Sequence, residues 1–132
     1  GVAPHAGLFG VINDLSKYGL MLRASIQGEK KLTDIPPEWV RRFTKRSVPQ
    51  KLGDWASCFM MPTIGSASCG RYFSAASIGH TGFTGTSLWY DPKNDWLVTI
   101  LSNRVCPTRE NKLFLKLRGL LHQTALESIG VV

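Results

Sequence analysis

The first clear pattern of hydrophobic positions along the chain has the period of a helix. Between Asn13 and Ile26 the apolar side chains recur three, four and four residues apart, at Leu15, Tyr18, Leu22 and Ile26. This spacing places them on one helix face. Gly28 follows, and glycine often ends a helix because it adopts left-handed backbone easily. The pattern predicts an amphipathic helix from Asn13 to Ile26.

A second helix is predicted further on, where capping residues precede prolines. Thr33 or Asp34 can cap it, and Pro36-Pro37 stands where its first turn should lie. One side of this helix carries Trp39, Val40 and Phe43. The opposite side carries basic residues.

The later part of the chain predicts strands and then a closing helix. Residues 86–91 and 96–102 have strand composition, and the segment Asp91-Pro92-Lys93-Asn94-Asp95 between them has turn chemistry. Residues 111–128 have a helical pattern whose apolar face consists of Leu113, Leu117, Leu120, Leu121 and Ala125. Before the strands, residues 47–77 predict a loop with one or two short strands.

The order of these elements predicts an α+β fold with an antiparallel sheet and flanking helices. We expect a single segment over residues 1–132. Its parts are a helical region (1–46), a loop with short strands (47–78), antiparallel strands (79–103) and a C-terminal helix (110–128).

Composition and charge narrow the functional classes. The 132 residues are 43% hydrophobic and 19% charged, which is typical of one folded domain. No apolar run approaches the roughly 20 residues of a membrane span. The net charge of +7 is densest at Arg41–Lys51. We interpret that cluster as a solvated helix face rather than a nucleic-acid surface.

Cysteine and histidine spacing indicates no metal site and no cofactor. Cys58, Cys69 and Cys106 form no C-x-x-C pair, and the three histidines have no H-x-x-x-H spacing. Cys58 and Cys69 could form a disulfide in an oxidising compartment, but buried free thiols are the preferred interpretation. His122, among the leucines of the last helix, is expected at the boundary of the core.

The segment Gly79–Gly85 (GHTGFTG) is the candidate site. Gly79 and Gly82 remove side-chain bulk, as happens where another group passes close to the backbone. Thr81 adds a hydroxyl, and His80 can donate, accept or carry charge. From these residues alone, a glycine-rich connection with a structural histidine is the somewhat preferred interpretation.

The chain resembles the serine β-lactamase and penicillin-binding-protein family, especially its class C-like branch of β-lactamases, D-alanyl-D-alanine peptidases and esterases. His80-Thr81-Gly82 is similar to the K-T-G motif of that family, with His in place of Lys. The likeness continues through Thr84-Gly85 and the strands TSLWYDP and LVTILSN. Upstream, HAGLFGVINDLSKYGLML and SCGRYFSAASIGHTG are also similar to family segments. The resemblance implies a partial β-lactamase/transpeptidase-like fold.

The resemblance implies a role for each residue of the candidate site. The backbone N–H of Phe83 would be one of two donors to an oxyanion. Gly82 would let substrate lie antiparallel along the strand, and Thr81 and His80 would meet its polar or carboxylate end. Arg109 is a further substrate-binding candidate. A neutral His holds an anion less firmly than Lys does, which leaves room for an esterase.

The catalytic serine motif of the family does not occur in this sequence. No serine is followed by lysine three residues later, and no Tyr-x-Asn, Ser-x-Asn or G-x-S-x-G occurs. The chain therefore resembles the carboxy-terminal part of such an enzyme, and its start without Met or a signal peptide agrees with that interpretation. The expected partners are the missing N-terminal segment or a second copy bound at the exposed sheet. The alternative is an inactive remnant or an interaction module and, less well supported, a basic nucleic-acid binder.

Overall fold

The computed structural model describes residues 7–29, 34–63, 65 and 67–132. Its elements are helix α1 (Ile12–Gln27), helix α2 (Pro37–Thr44), a 3₁₀ turn (Gln50–Leu52), strands β1 (Ile78–Thr81), β2 (Ser87–Asp91) and β3 (Trp96–Ile100), and helix α3 (Leu113–Ser128). The strands form one antiparallel sheet in the order β1-β2-β3. The predicted α+β class, with an antiparallel sheet and a C-terminal helix, is confirmed.

Helix α1 begins and ends within one residue of its predicted bounds. Gly28 has φ +75°, and its N–H donates to the Ala24 carbonyl, so it ends the helix as expected. The face against the sheet differs from the predicted stripe, because Gly19 is buried while Tyr18 is exposed. A Cβ at position 19 would meet the methyl groups of Leu97 on β3, so glycine permits this close approach.

Helix α2 begins without the predicted side-chain cap. Its N-cap is Pro36, with no side-chain hydrogen bond, and Pro37 is its first residue. Of the two predicted caps, Asp34 is not the capping residue, and Thr33 lies outside the described residues. Pro36 and Pro37 stand at the start of the helix, where the fixed φ of proline suits the first turn.

Strand β2 is the central strand of the sheet and is buried along its whole length. Leu88 and Tyr90 point to the α1 side, while Ser87, Trp89 and Asp91 point to the opposite side, since successive strand residues alternate. On that opposite side Trp89 packs with Cys69, Phe73 and Leu126. Both faces of β2 are therefore covered.

Asp91 organises the predicted turn between β2 and β3. Its buried carboxylate accepts hydrogen bonds from the Ser74 N–H (2.8 Å) and hydroxyl (2.7 Å), and from Lys93 and Asn94. Burial alone would raise the pKa of this carboxyl, but these hydrogen bonds outweigh it and the pKa is lowered. The carboxylate thus ties the turn to the loop at Ser74.

Helix α3 presents a different face to the core from the one its leucines predict. Arg118, His122 and Leu126, spaced four residues apart, are buried. The predicted apolar face is largely exposed, namely Leu113, Leu117, Leu120 and Leu121. The predicted boundary position of His122 is also wrong, because His122 is fully buried. Polar groups of β2 and of the β1–β2 turn explain the rotation: the Ser87 hydroxyl lies 2.8 Å from His122 Nε2, and Arg118 donates to the Gly82 carbonyl (3.1 Å).

All three cysteines are free thiols. Cys69 is buried, as the preferred interpretation required, but Cys58 and Cys106 are exposed. Within the described residues, no helix is long and apolar enough to cross a membrane.

Candidate functional site

The candidate site lies at the end of β1, where the chain turns toward β2. The Gly82 N–H donates to the Thr86 carbonyl (2.7 Å), and the Gly85 N–H donates to the Gly82 carbonyl (3.0 Å). Gly85 has φ +97°, which favours glycine. These bonds make a tight turn with Phe83 and Thr84 at its tip, a common three-residue hairpin connection.

The hydrogen bonds of this turn do not include the Phe83 N–H. Within the part of the chain that the structure describes, it donates to no protein acceptor, whereas the N–H groups of Gly82 and Gly85 are both bonded. The Phe83 side chain is largely exposed. A fixed backbone donor without a protein partner is the type of group that stabilises an oxyanion.

The glycines of this segment make room for the protein's own atoms. A Cβ at Gly79 would collide with Trp89 and the Leu88 carbonyl, and one at Gly82 would collide with the Thr86 hydroxyl. One at Gly85 would meet Ser102 and Phe114. Close packing within the protein therefore accounts for the missing side chains, and contact between Gly82 and substrate stays a prediction.

The outer edge of β1 is occupied at one end and open at the other. Met60 exchanges two backbone hydrogen bonds with Gly79 (2.8 and 3.0 Å). Beyond Gly79, the described residues provide no strand beside Thr81 and Phe83. An added strand would therefore have access to the last part of the edge only.

His80 is exposed and its ring is held on two sides. The Nδ1 atom lies 2.9 Å from the Thr81 carbonyl, and the ring lies 6.0 Å from that of Trp55. A carbonyl can only accept, so this hydrogen bond requires the proton on Nδ1. In the neutral ring, Nε2 is then the lone-pair nitrogen and an acceptor.

A cavity of about 640 Å³ opens beside the turn. Thr81, Gly82 and Phe83 line one wall, and the segment after β3 and helix α3 form the others. The charged side chains of the lining are four basic residues and one acid: Arg104, Arg109, Lys112, Arg118 and Glu110. The cavity therefore favours a ligand that carries negative charge.

Two of these arginines are buried beneath the turn. Arg104, 8% exposed, donates from Nε to the Phe83 carbonyl (2.6 Å) and from Nη1 to the carbonyls of Arg109 and Asn111. Arg118, 6% exposed, donates from Nη2 to the Gly82 carbonyl. Burial, and then the neighbouring charge of Arg104, lowers the pKa of Arg118.

The structure brings four predicted site residues together around the cavity, and the fifth is outside its lining. Thr81, Gly82 and Phe83 line the cavity with Arg109, whose side chain is 78% exposed and lies 3.6 Å from Glu110. His80 belongs to the same strand but is not part of that lining. None of these placements shows a substrate contact, so the substrate-binding roles remain predictions.

Sequence reasoning did not identify Arg118 as part of the site. The available signal was its spacing, because Arg118 and His122 lie four residues apart among leucines and so share one helix face. Which face of α3 turns inward depends on acceptors in β2 and the turn, far away in the sequence.

Comparison with known proteins places this geometry in a family. The Beta-lactamase family model matches residues 1–120. Relatives provisionally named D-alanyl-D-alanine carboxypeptidase, in Salmonella paratyphi B and Salmonella newport, are 37% identical over 111 residues. The match covers 79% of this chain and 24% of theirs, so the chain spans about a quarter of their length.

A solved structure supports the fold independently. The crystal structure of a β-lactamase from Mycobacterium bovis matches with a TM-score of 0.68 at 18% identity, over 90% of this chain and 44% of that one. At this identity the likeness shows the fold alone. The fold and the family model agree with the His80-Thr81-Gly82 resemblance, and the chain belongs to the β-lactamase family of serine hydrolases, as the sequence predicted from its likeness to the carboxy-terminal part.

Proposed function

We propose that this chain forms one active-site wall of a serine hydrolase and provides half of its oxyanion hole. The observation that carries the proposal is the Phe83 N–H, which directly follows the His-Thr-Gly triplet and has no acceptor among the described residues. Two such donors stabilise the negative oxygen that develops when a nucleophile attacks a carbonyl. Membership of the β-lactamase family supports an acyl-enzyme route.

In this route the reacting serine comes from a part of the protein outside these 132 residues. Its hydroxyl oxygen adds to an ester or amide carbonyl, the leaving group departs with a proton, and water then hydrolyses the acyl-enzyme. The Phe83 N–H would serve both steps, because each passes through a tetrahedral oxyanion. The chain by itself is inactive under this proposal.

The cavity favours a substrate with an acidic end. Its basic lining suits a carboxylate, and peptides that end in D-alanine have one, which agrees with the provisional names of the Salmonella relatives. A neutral His80 presents an acceptor at Nε2, so it would bind a hydroxyl or amide N–H rather than the carboxylate itself. Small amides and esters with a nearby carboxylate are therefore the proposed substrates.

The expected partner is the upstream part of the same protein. Five leucines of α3 are exposed, and β3 is an edge strand of the described sheet. Exposed apolar patches and open strand edges commonly bind another segment. Self-association of this chain through the same surfaces is the competing outcome.

The test compares Phe83→Pro with Phe83→Ala in the complete protein. Proline removes the N–H and tolerates the negative φ of Phe83, whereas alanine keeps the N–H. We expect Phe83→Pro to lower kcat/KM for an activated ester by about 100-fold or more, and Phe83→Ala by a few-fold.

A fluorophosphonate or penicillin probe, followed by mass spectrometry, locates the nucleophile in the same protein. The proposal requires labelling of a serine outside Gly1–Val132. A labelled serine inside this chain would contradict it. Absence of any labelled serine would favour the inactive remnant.

A further inference from the structure

Arg118 differs from the other cations around the cavity in what it contacts. Its guanidinium makes one hydrogen bond to another described residue, from Nη2 to the Gly82 carbonyl (3.1 Å). The buried Nε has no partner among the described residues. No carboxylate forms an ion pair with it among those residues. A buried guanidinium without a counterion is costly, so its retention calls for a physical reason.

The Gly82 carbonyl and the Phe83 N–H belong to the same peptide group. The carbonyl already accepts the Gly85 N–H, which closes the turn. Arg118 adds a full positive charge at the oxygen end of that peptide. A cation hydrogen-bonded to a carbonyl draws electron density from the attached nitrogen, because the peptide bond is conjugated. The Phe83 N–H then becomes a stronger donor.

Arg104 acts on the next peptide. Its Nε donates to the Phe83 carbonyl, which shares a peptide group with the Thr84 N–H rather than with the Phe83 N–H. Its guanidinium also binds two loop carbonyls and lies 4.6 Å from the Phe83 ring. These contacts indicate that Arg104 has a structural role, because they connect the loop after β3 to the turn.

We propose that Arg118 is a positioning residue that polarises the Gly82–Phe83 peptide and so strengthens the Phe83 N–H as an oxyanion donor. The inference rests on the proposed function of that N–H, but the polarisation itself can be measured without catalysis. It predicts that loss of the charge weakens the N–H as a donor while the hydrogen bonds of the turn remain.

The measurement is base-catalysed hydrogen exchange of the Phe83 amide in the complete protein. Gly-Phe occurs once in these 132 residues, at Gly82-Phe83. Labelling glycine at its carbonyl carbon with ¹³C and phenylalanine with ¹⁵N therefore selects this peptide in the chain. We expect Arg118→Met to slow exchange about three- to tenfold, since a nearby positive charge stabilises the deprotonated amide by up to about one pKa unit. Arg118→Lys should retain most of the effect if its ammonium reaches the carbonyl.

Lys116→Met is the matched control. It removes a positive charge from the exposed side of the same helix and should leave Phe83 exchange unchanged. A residue with only a bracing role would behave differently: Arg118→Met would accelerate exchange at the protected Gly82 and Gly85 amides. That result, or an unchanged Phe83 rate with both amides still protected, would overturn the inference.

Kinetics then separate this inference from the proposed function. With an activated ester, Arg118→Met should lower kcat about tenfold and leave KM nearly unchanged, because the stronger donor matters mainly in the transition state. Slowed Phe83 exchange in a protein that acylates no serine would support the polarisation and refute the hydrolase. Slowed exchange with full hydrolytic activity would refute the catalytic use of the effect.

Discussion

His122 lies fully buried, where the helix α3 meets the sheet. Its Nε2 lies 2.8 Å from the Ser87 hydroxyl, and its ring meets Phe73 edge to face. Nδ1 has no partner among the described residues. Burial, and then the charge of Arg118, lowers the pKa of His122 to about 4.

We predict that His122 makes the protein less stable in mild acid. The unfolded chain binds the proton near pH 6.5 and the folded chain near pH 4, so this contribution is fully present above pH 6.5 and is lost between those values. The free energy of unfolding should fall by about 2 kcal/mol from pH 7 to pH 5. Urea titrations at both pH values measure it. His122→Gln should lower this pH dependence.

The three cysteines should differ in reactivity. Burial raises the pKa of the Cys69 thiol to about 12, and the thiolate is the reactive form. In the native protein we expect iodoacetamide to modify Cys58 and Cys106 and to leave Cys69 intact, as counted by mass spectrometry. Modification of Cys69 at the same rate without denaturant would show that the core around Trp89 opens readily.

At the scale of elements, the turn from β1 to β2 is tightly constrained. Gly85 combines a positive φ with close contact to Ser102 and Phe114. Its position fixes both the Gly82 carbonyl and the free Phe83 N–H. The precise placement of the candidate site therefore depends on one glycine behind it.

Gly85→Ala should destabilise the protein by about 2–4 kcal/mol, from backbone strain together with steric overlap. Gly130→Ala is the matched control, because Gly130 has φ +67° but open space around it. It should cost only about 1 kcal/mol. Thermal and urea unfolding measure both variants, and equal losses would mean that contact with Ser102 and Phe114 is unimportant.

At the scale of the whole molecule, the exposed leucines of α3 form an apolar stripe that no other described residues cover. The chain spans about a quarter of the length of its Salmonella relatives. An uncovered stripe of this kind favours association.

We predict that the isolated chain self-associates and that Leu117→Lys with Leu120→Lys makes it monomeric. Both positions are exposed, so folding should be little affected, and sedimentation velocity measures the change. Leu52→Lys, at another exposed leucine, is the control and should not alter association. Under the proposed function, the double variant should also weaken binding to the proposed upstream part. A wild-type chain that remains monomeric at high concentration would contradict the prediction.

Local pattern determined a good part of this protein. The bounds of α1, its end at Gly28, the β2–β3 hairpin and the location of α3 all follow from periodicity and turn chemistry, because neighbouring residues set them. The His80-Thr81-Gly82 triplet and its setting were sufficient to recognise the family.

Only the tertiary structure determined which face of α3 is buried. It also gave the reason for glycine at positions 79, 82 and 85, where a side chain would collide with neighbouring atoms. A leucine-rich helix can pack by several faces, and the choice here follows from the Ser87 hydroxyl and the Gly82 carbonyl, which lie more than thirty residues away along the chain. The same long-range contacts place Arg118 behind the Phe83 peptide. Periodicity predicts where a helix forms and which side chains share a face. Only the packing partners of the helix determine which of its faces is buried.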